Sequence, residues 1–226
     1  MKQNIFVVIP AFNEKPSILE TTLTKIIEKG YEVVLVDDGS TDELHVNEKR
    51  ASIHCLRHSI NLGQGAALQT GMDYALLCGA DIIVHFDADG QHEANDIDKF
   101  VNKLREGYDV ILGSRFLDSK DREAVPKGRR LILRIARIVN GIFTGLWLSD
   151  AHNGFRAFSR PAVMKIRIRE NRMAHATEIL HLIKKQKLKY CEMPTRITYS
   201  DYSKAKGQNA INSVNILIDV IKNKIL

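Results

Sequence analysis

The chain has 226 residues, 44% of them hydrophobic, and a formal charge of +6. That is enough apolar side chain for a packed core, so one domain, or one domain with an appendage, is expected rather than a disordered chain. No run of 18 or more apolar residues is present, so no membrane span is expected, and the start, Met-Lys-Gln-Asn, enters a strand too short for a signal peptide.

Residues 5–10 (Ile-Phe-Val-Val-Ile-Pro) form a continuous apolar run, the pattern of a strand covered on both faces. Pro16 opens a helix with apolar positions 18, 19, 23, 26 and 27, which Gly30 ends. Residues 32–36 are a second strand closing on Asp37-Asp38-Gly39-Ser40-Thr41-Asp42, and residues 52–56 are a third. Asn61-Leu62-Gly63-Gln64-Gly65 leads into a helix from about Ala66 to Cys78. The glycine pair invites a phosphate-loop reading; the plainer one is a tight turn that brings the helix onto the sheet. Residues 81–86 are a fourth strand, Asn95 or Asp96 caps a helix to about Glu106, and residues 109–112 are a fifth strand. Strand and helix alternate throughout, which predicts an α/β fold with a mainly parallel sheet flanked by helices.

After Arg115 the character changes. Residues 127–148 carry Arg129, Arg130, Arg134 and Arg137 among large apolar residues. Positions 130, 134 and 137 make one basic stripe on a helix, beside an apolar face of Leu131, Ile135, Ile138 and Ile142. This is the pattern of a helix at a lipid headgroup boundary, with Phe143 and Trp147 as anchors; a core helix with solvated arginines is the alternative. The net basic charge points to an anionic partner, but without interleaved stacking aromatics nucleic acid is not expected. Residues 150–156 break the helix, 174–185 form another that carries Glu178, and 191–200 have strand character. A basic loop spans 202–207, and 210–226 is an amphipathic helix that could bind a surface or mediate dimerisation. Cys55, Cys78 and Cys191 are odd in number and sit in apolar contexts. They read as reduced core residues of a cytosolic protein, not a disulfide frame or zinc site. The lone histidines, such as His85 and His181, receive no role.

The most informative stretch is Ile82-Ile-Val-His-Phe-Asp87-Ala-Asp89-Gly-Gln-His92. An apolar strand ends in two carboxylates spaced i, i+2, which point the same way on an extended chain. They face the region beyond the strand's carboxyl end, where open α/β sheets bind ligands. Two neighbouring acids repel unless a cation lies between them. Mg²⁺ or Mn²⁺ accepts one or two carboxylates and completes its shell with phosphate and water. The alternative is a polar turn after a buried strand.

Four segments in one order, Val8 to Glu14, Asp37 to Asp42, Asp87 to His92 and Gly113-Ser114-Arg115, resemble the inverting family 2 glycosyltransferases of the GT-A fold. Asn61 to Gly65, Asp150-Ala-His-Asn-Gly-Phe-Arg156 and the late Lys-x-Lys-Gly segment make the chain most similar to the polyprenyl-phosphate hexosyltransferases, relatives of dolichyl-phosphate mannose synthase. The resemblance implies a single GT-A domain over 1–226. Residues 1–115 would bind a nucleotide diphosphate sugar, and 116–226 the polyprenyl phosphate acceptor.

It also implies residue roles. Pro10, Ala11, Asn13 and Glu14, with Asp37 and Asp38, would hold base and ribose. Asp89 would ligate Mg²⁺ or Mn²⁺ most directly, with Asp87 sharing the ion or facing the sugar, Gln91 in its shell, and Ala88 against the nucleotide sugar. Relatives often carry Lys between the two glycines; Gln64 removes that cation and is assigned no phosphate. Asp150 is the candidate base or orienting acid: a hydroxyl acceptor needs a carboxylate base, whereas a largely dianionic phosphate does not. Arg115 and Arg156 could clamp phosphate, and Lys204 and Lys206 could close over the diphosphate; structural ion pairs and a solvated loop are the alternatives. Glu178 could orient neighbours.

Many such relatives continue into transmembrane helices, which this chain lacks. Attachment is therefore expected to be peripheral, at the inner face of the cytoplasmic membrane, or through a small membrane partner. The Gln-x-x-Arg-Trp signature of processive synthases is absent, which favours a single transfer. Transfer to a saccharide or protein hydroxyl is the second reading.

Overall fold

Side-chain alternation along the first strand sets the layering of the computed structural model, which describes residues 3–42, 44, 51–118, 137–138, 141–142, 144–151 and 153–196. In β1 (Ile5–Ala11), Phe6 and Val8 face one side of the sheet, and Val7 and Ile9 the other. The first side is covered by α2 (Gln64–Leu77), α4 (Arg160–Lys165) and α5 (His175–Lys185), through Leu68, Met72, Val163, Ile179 and Ile183. The second is covered by α1 (Pro16–Ile27) and α3 (Asn95–Arg105), through Leu19, Leu23, Ile26, Ile97 and Phe100. Each such fully buried side chain contributes about 1.5–3 kcal/mol. Strands covered on both faces must be apolar along their buried length, which is why β1 and the 33–36 interior of β2 (Glu32–Asp37) are.

The other strands are β3 (Ile53–Arg57), β4 (Ile82–His85), β5 (Val110–Ser114), β6 (Arg156–Ser159) and β7 (Tyr190–Pro194). Their order in the sheet is β3-β2-β1-β4-β6-β5-β7, and β6 alone runs antiparallel to its neighbours. The order reverses between β1 and β4, so the crevice beyond their carboxyl ends is the topological switch point where such sheets bind ligands.

The structure corrects several expectations. Residues 156–165 hold a strand and a short helix where the sequence predicts no element: β6 inserts between β4 and β5, pairing Arg156 with His85 and with Leu112. Helix α2 begins at Gln64, two residues before its expected start. The helix expected to reach residue 148 is helical at the described positions 137, 138, 141, 142 and 144 and ends at Gly145, whose φ of +71° breaks it. The cysteines form no disulfide; Cys55 and Cys78 are exposed and so are not core residues, whereas half-buried Cys191 packs against the core. Cys55 lies on edge strand β3, and Cys78 caps the carboxyl end of α2. Among the described residues no helix is long and apolar enough to cross a membrane. The expected loop at 202–207 and helix at 210–226 lie outside the described residues, as do Arg129, Arg130, Leu131, Arg134, Ile135 and Phe143.

Candidate active site

Strand β4 stops at His85, and Asp87, Ala88 and Asp89 follow at the switch-point edge. The Asp87 carboxylate is held on both oxygens: Gln64 Nε2 donates to Oδ1 (3.1 Å), and His92 Nε2 contacts Oδ2 at 3.2 Å. Behind it, a Cβ on residue 154 would lie 2.5 Å from Oδ2, so any side chain there would displace the carboxylate. Burial raises the Asp87 pKa, but the hydrogen bond from His92 and the charges of His92, Arg156 and His175 outweigh it and hold the carboxyl below its ordinary value. Asp89 behaves oppositely. Burial and then the charge of Asp87 push it up to about 6, with a smaller push from Glu14. The backbone N–H of Gln91 donates to Asp89 Oδ1 (3.0 Å), and its side-chain amide to Oδ2.

At the end of β2 the acids are adjacent in sequence and part company. Asp38 accepts from His58 Nδ1 (2.7 Å), Leu62 N (3.0 Å) and Gly63 N (2.7 Å), which ties the 58–63 loop to the sheet. Asp37 accepts from Ser40 N through Oδ1 (2.9 Å); its Oδ2 is buried without a hydrogen-bond partner, 3.6 Å from Arg57 Nε. Beside them, the loop after β1 is fixed by Asn13, whose N–H donates to Ser40 Oγ and whose Oδ1 accepts from Thr41 N. Pro10 and Ala11 are the last residues of β1, in register with Val36 and Asp37.

The third group lies beyond β5. Arg115 donates to both oxygens of Asp150, Nε to Oδ2 (2.6 Å) and Nη2 to Oδ1 (2.7 Å), in a pair buried from solvent. Glu192 on β7 receives Ser149 N, Ser149 Oγ and Asp150 N, and so holds the turn that presents Asp150. Arg156, first residue of β6, is buried; burial lowers its pKa to about 10, resisted by Asp87 and Asp150, and it remains a cation at neutral pH. Burial, with the charges of Arg156 and His175, holds the His85 pKa well below its ordinary value.

The structure thus brings Asp87, Asp89, Gln91 and Arg156 to one edge and couples Arg115 to Asp150. Lys204 and Lys206 lie outside the described residues. Glu178 accepts from Arg169 N and Glu170 N, orienting the segment that packs on the glycine loop. A Cβ at Gly65 would sit 2.0 Å from Glu170 O, so this loop is a close-packed turn at the start of α2. Gln64, His92, Gly154 and Glu192 were missed as site residues. His92 was nonetheless signalled by its place in the Asp-Ala-Asp-Gly-Gln-His run, whereas nothing local marks Glu192.

Among the described residues no three His, Cys, Asp or Glu side chains gather to enclose an ion. Two acids that repel each other, one kept from ionising until about pH 6, are nevertheless a donor set that a hard dication fits when diphosphate and water complete its shell.

Among proteins of similar sequence is an uncharacterized protein of Methanocaldococcus jannaschii, 39% identical over 99% of this chain and 93% of that one. Another is the UDP-N-acetylglucosamine–dolichyl-phosphate N-acetylglucosaminyltransferase of Methanococcus voltae, 29% identical over 97% and 96%. Glucosyl-3-phosphoglycerate synthase from Mycobacterium tuberculosis, solved with Mn²⁺, UDP and phosphoglyceric acid, matches at TM-score 0.63 over 96% of this chain and 78% of that one. At 16% identity this is a likeness of fold. The strand-end acids, the Gly-Ser-Arg turn and β6 all fall within residues 6–167, which match the family Glycosyl transferase family 2, and the chain belongs to that family.

Proposed function

We propose that the protein transfers one hexose, with inversion, from a nucleotide diphosphate sugar to a polyprenyl phosphate. The observation that carries the choice of acceptor is Asp150, the candidate base, both of whose oxygens already accept from Arg115. A hydroxyl acceptor needs a carboxylate ready to take its proton. A phosphate monoester is largely dianionic at neutral pH and can attack as it stands. The Methanococcus voltae relative, named for transfer to dolichyl phosphate, supports the same reading.

In this reading residues 1–115 hold the donor. The Pro10–Glu14 loop and Asp37 take base and ribose, with Asp37 Oδ2, which faces Arg57 but accepts no hydrogen bond among the described residues, accepting from a base or ribose donor. Asp89, with Asp87 and Gln91, holds Mg²⁺ or Mn²⁺, which when bound supplies a Lewis acid to the leaving diphosphate. Asp87 and Ala88 face the sugar. An acceptor phosphate oxygen bonds to the anomeric carbon as its bond to the diphosphate breaks, and no proton need move. Arg115, oriented by Asp150, and Arg156 supply positive charge beside the acceptor; Lys204 and Lys206 neutralise the leaving group. Residues 116–226 meet the membrane peripherally. Ile138, Ile142 and Trp147 are exposed apolar side chains in the described part of that basic segment, which supports lipid contact.

The test is a donor screen with short-chain polyprenyl phosphate and Mg²⁺ or Mn²⁺, scored for sugar-lipid product. Transfer to a saccharide hydroxyl with no lipid product from any donor overturns the proposal in favour of the second reading. Liposome flotation of the Arg130→Glu, Arg134→Glu, Arg137→Glu variant tests the surface; unchanged flotation retires it.

A further inference from the structure

The Asp87 carboxylate is enclosed more closely than a cation ligand at a strand end requires. Two segments distant in sequence close on it, Gln64 at the head of α2 and the backbone at Gly154 just before β6, together with His92, five residues on in its own loop. His92 is only 7% exposed. Its ring lies edge-on to Phe86 (centroids 5.6 Å) and against Phe155 (5.3 Å), which in turn stacks on Phe100. Its Nδ1 is buried with no hydrogen-bond partner. Burying an imidazole with one nitrogen unsatisfied is costly, and among the described residues its only side-chain hydrogen bond is to Asp87.

We propose that His92 is a positioning residue for glycosyl transfer: with Gln64 on the opposite oxygen, it locks the Asp87 carboxylate in one orientation and leaves Asp89 as the acid that meets the cation first. The inference rests on the function proposed above. Asp89 lies within reach of the charge of Asp87, so two unrestrained carboxylates would compete for one ion. The lock divides their tasks. Releasing it lets Asp87 rotate by an ångström or so, a displacement that costs on the order of 10²-fold in rate at a preorganised site.

His92→Phe keeps a ring against Phe86 and Phe155 but removes the donor; His92→Gln restores an N–H. The expected result for His92→Phe is a kcat about 10–100-fold lower with donor KM changed less than about threefold. Its melting temperature should stay within about 4 °C of wild type, and His92→Gln should recover much of the loss. A second readout needs neither metal nor turnover: in chelator, the His92 ring N–H resonance is protected from exchange in wild type and lost in Asp87→Ala. If His92→Phe turns over like wild type, or His92→Gln is no better, the positioning role is overturned while the transferase reading stands. If wild type itself makes no donor-dependent product, the transferase reading falls, and the resonance still decides whether His92 holds Asp87. Should His92→Phe not fold, His92→Gln and the resonance carry the test.

Discussion

The ends of β2 and β4 each deliver two acids to the same edge of the sheet, yet they use them differently. At β2 the acids are adjacent, and Asp38 is absorbed into the fold by three hydrogen bonds to the 58–63 loop while Asp37 keeps a buried oxygen unpartnered. Beyond β4 the acids are two apart in the turn after the strand, and burial with the charge of Asp87 pushes Asp89 up to about 6. In each pair one acid is tied to another segment, Asp38 to the 58–63 loop and Asp87 to Gln64, while the other accepts from a residue two or three positions on, Asp37 from Ser40 and Asp89 from Gln91. Spacing decides whether the second acid also suffers repulsion, and only repulsion makes a site for a cation.

The contrast can be broken most severely at Asp89. Asp89→Ala should lower transfer by about 10³-fold or more, and calorimetry should find no Mn²⁺-dependent nucleotide binding; retained turnover would remove β4 from the cation site. Next comes Asp38→Ala, expected to cost about 2–4 kcal/mol in denaturant unfolding because two backbone N–H groups and His58 lose their acceptor. Little loss would mean that Asp38 is not structural. Third, in chelator at pH 8, Asp89→Asn should be more stable than wild type by about 1–3 kcal/mol. The folded Asp89 holds its proton to about pH 6, above its unfolded value. Its contribution to stability is therefore present at low pH and lost as pH rises through that window. The gain should vanish below about pH 4, and Mn²⁺ affinity should weaken as pH falls through about 6. The smallest effect is expected from Asp37→Asn, which turns an acceptor towards a donor. Donor KM should rise about tenfold, or about 1.4 kcal/mol, with the melting temperature nearly unchanged.

Much of this was legible in the chain. Strands β1, β2, β4 and β5 are apolar runs punctuated by Asp and Gly, and their two-sided burial leaves no ambiguity of period. The acids at the strand ends were legible as chemistry but not as individuals. Nothing in Asp37-Asp38 says which is structural, because the answer lies in His58 and Leu62, about twenty residues on. Arg115 and Asp150 were read as separate groups; 35 residues with no shared periodicity part them. Strand β6 was missed because four residues beginning with Arg do not look like a strand. Its exit was nonetheless written in Ser159-Arg160-Pro161, where the Ser159 hydroxyl caps α4 and Pro161 sits in its first turn. Cys55 was misjudged because apolar neighbours say nothing about whether a strand lies at an edge.

The antiparallel insertion of β6 between β4 and β5 has a consequence for how the protein emerges from the ribosome. Until Ser159 has been synthesised, β4 and β5 each present an unpaired inner edge, and β5 cannot join the β3-β2-β1-β4 sheet already made. Completion must wait on a tract some forty residues beyond β5. The nascent chain therefore passes through a stage with two open, apolar edges, when chaperone capture or mispairing with another chain has its widest opportunity.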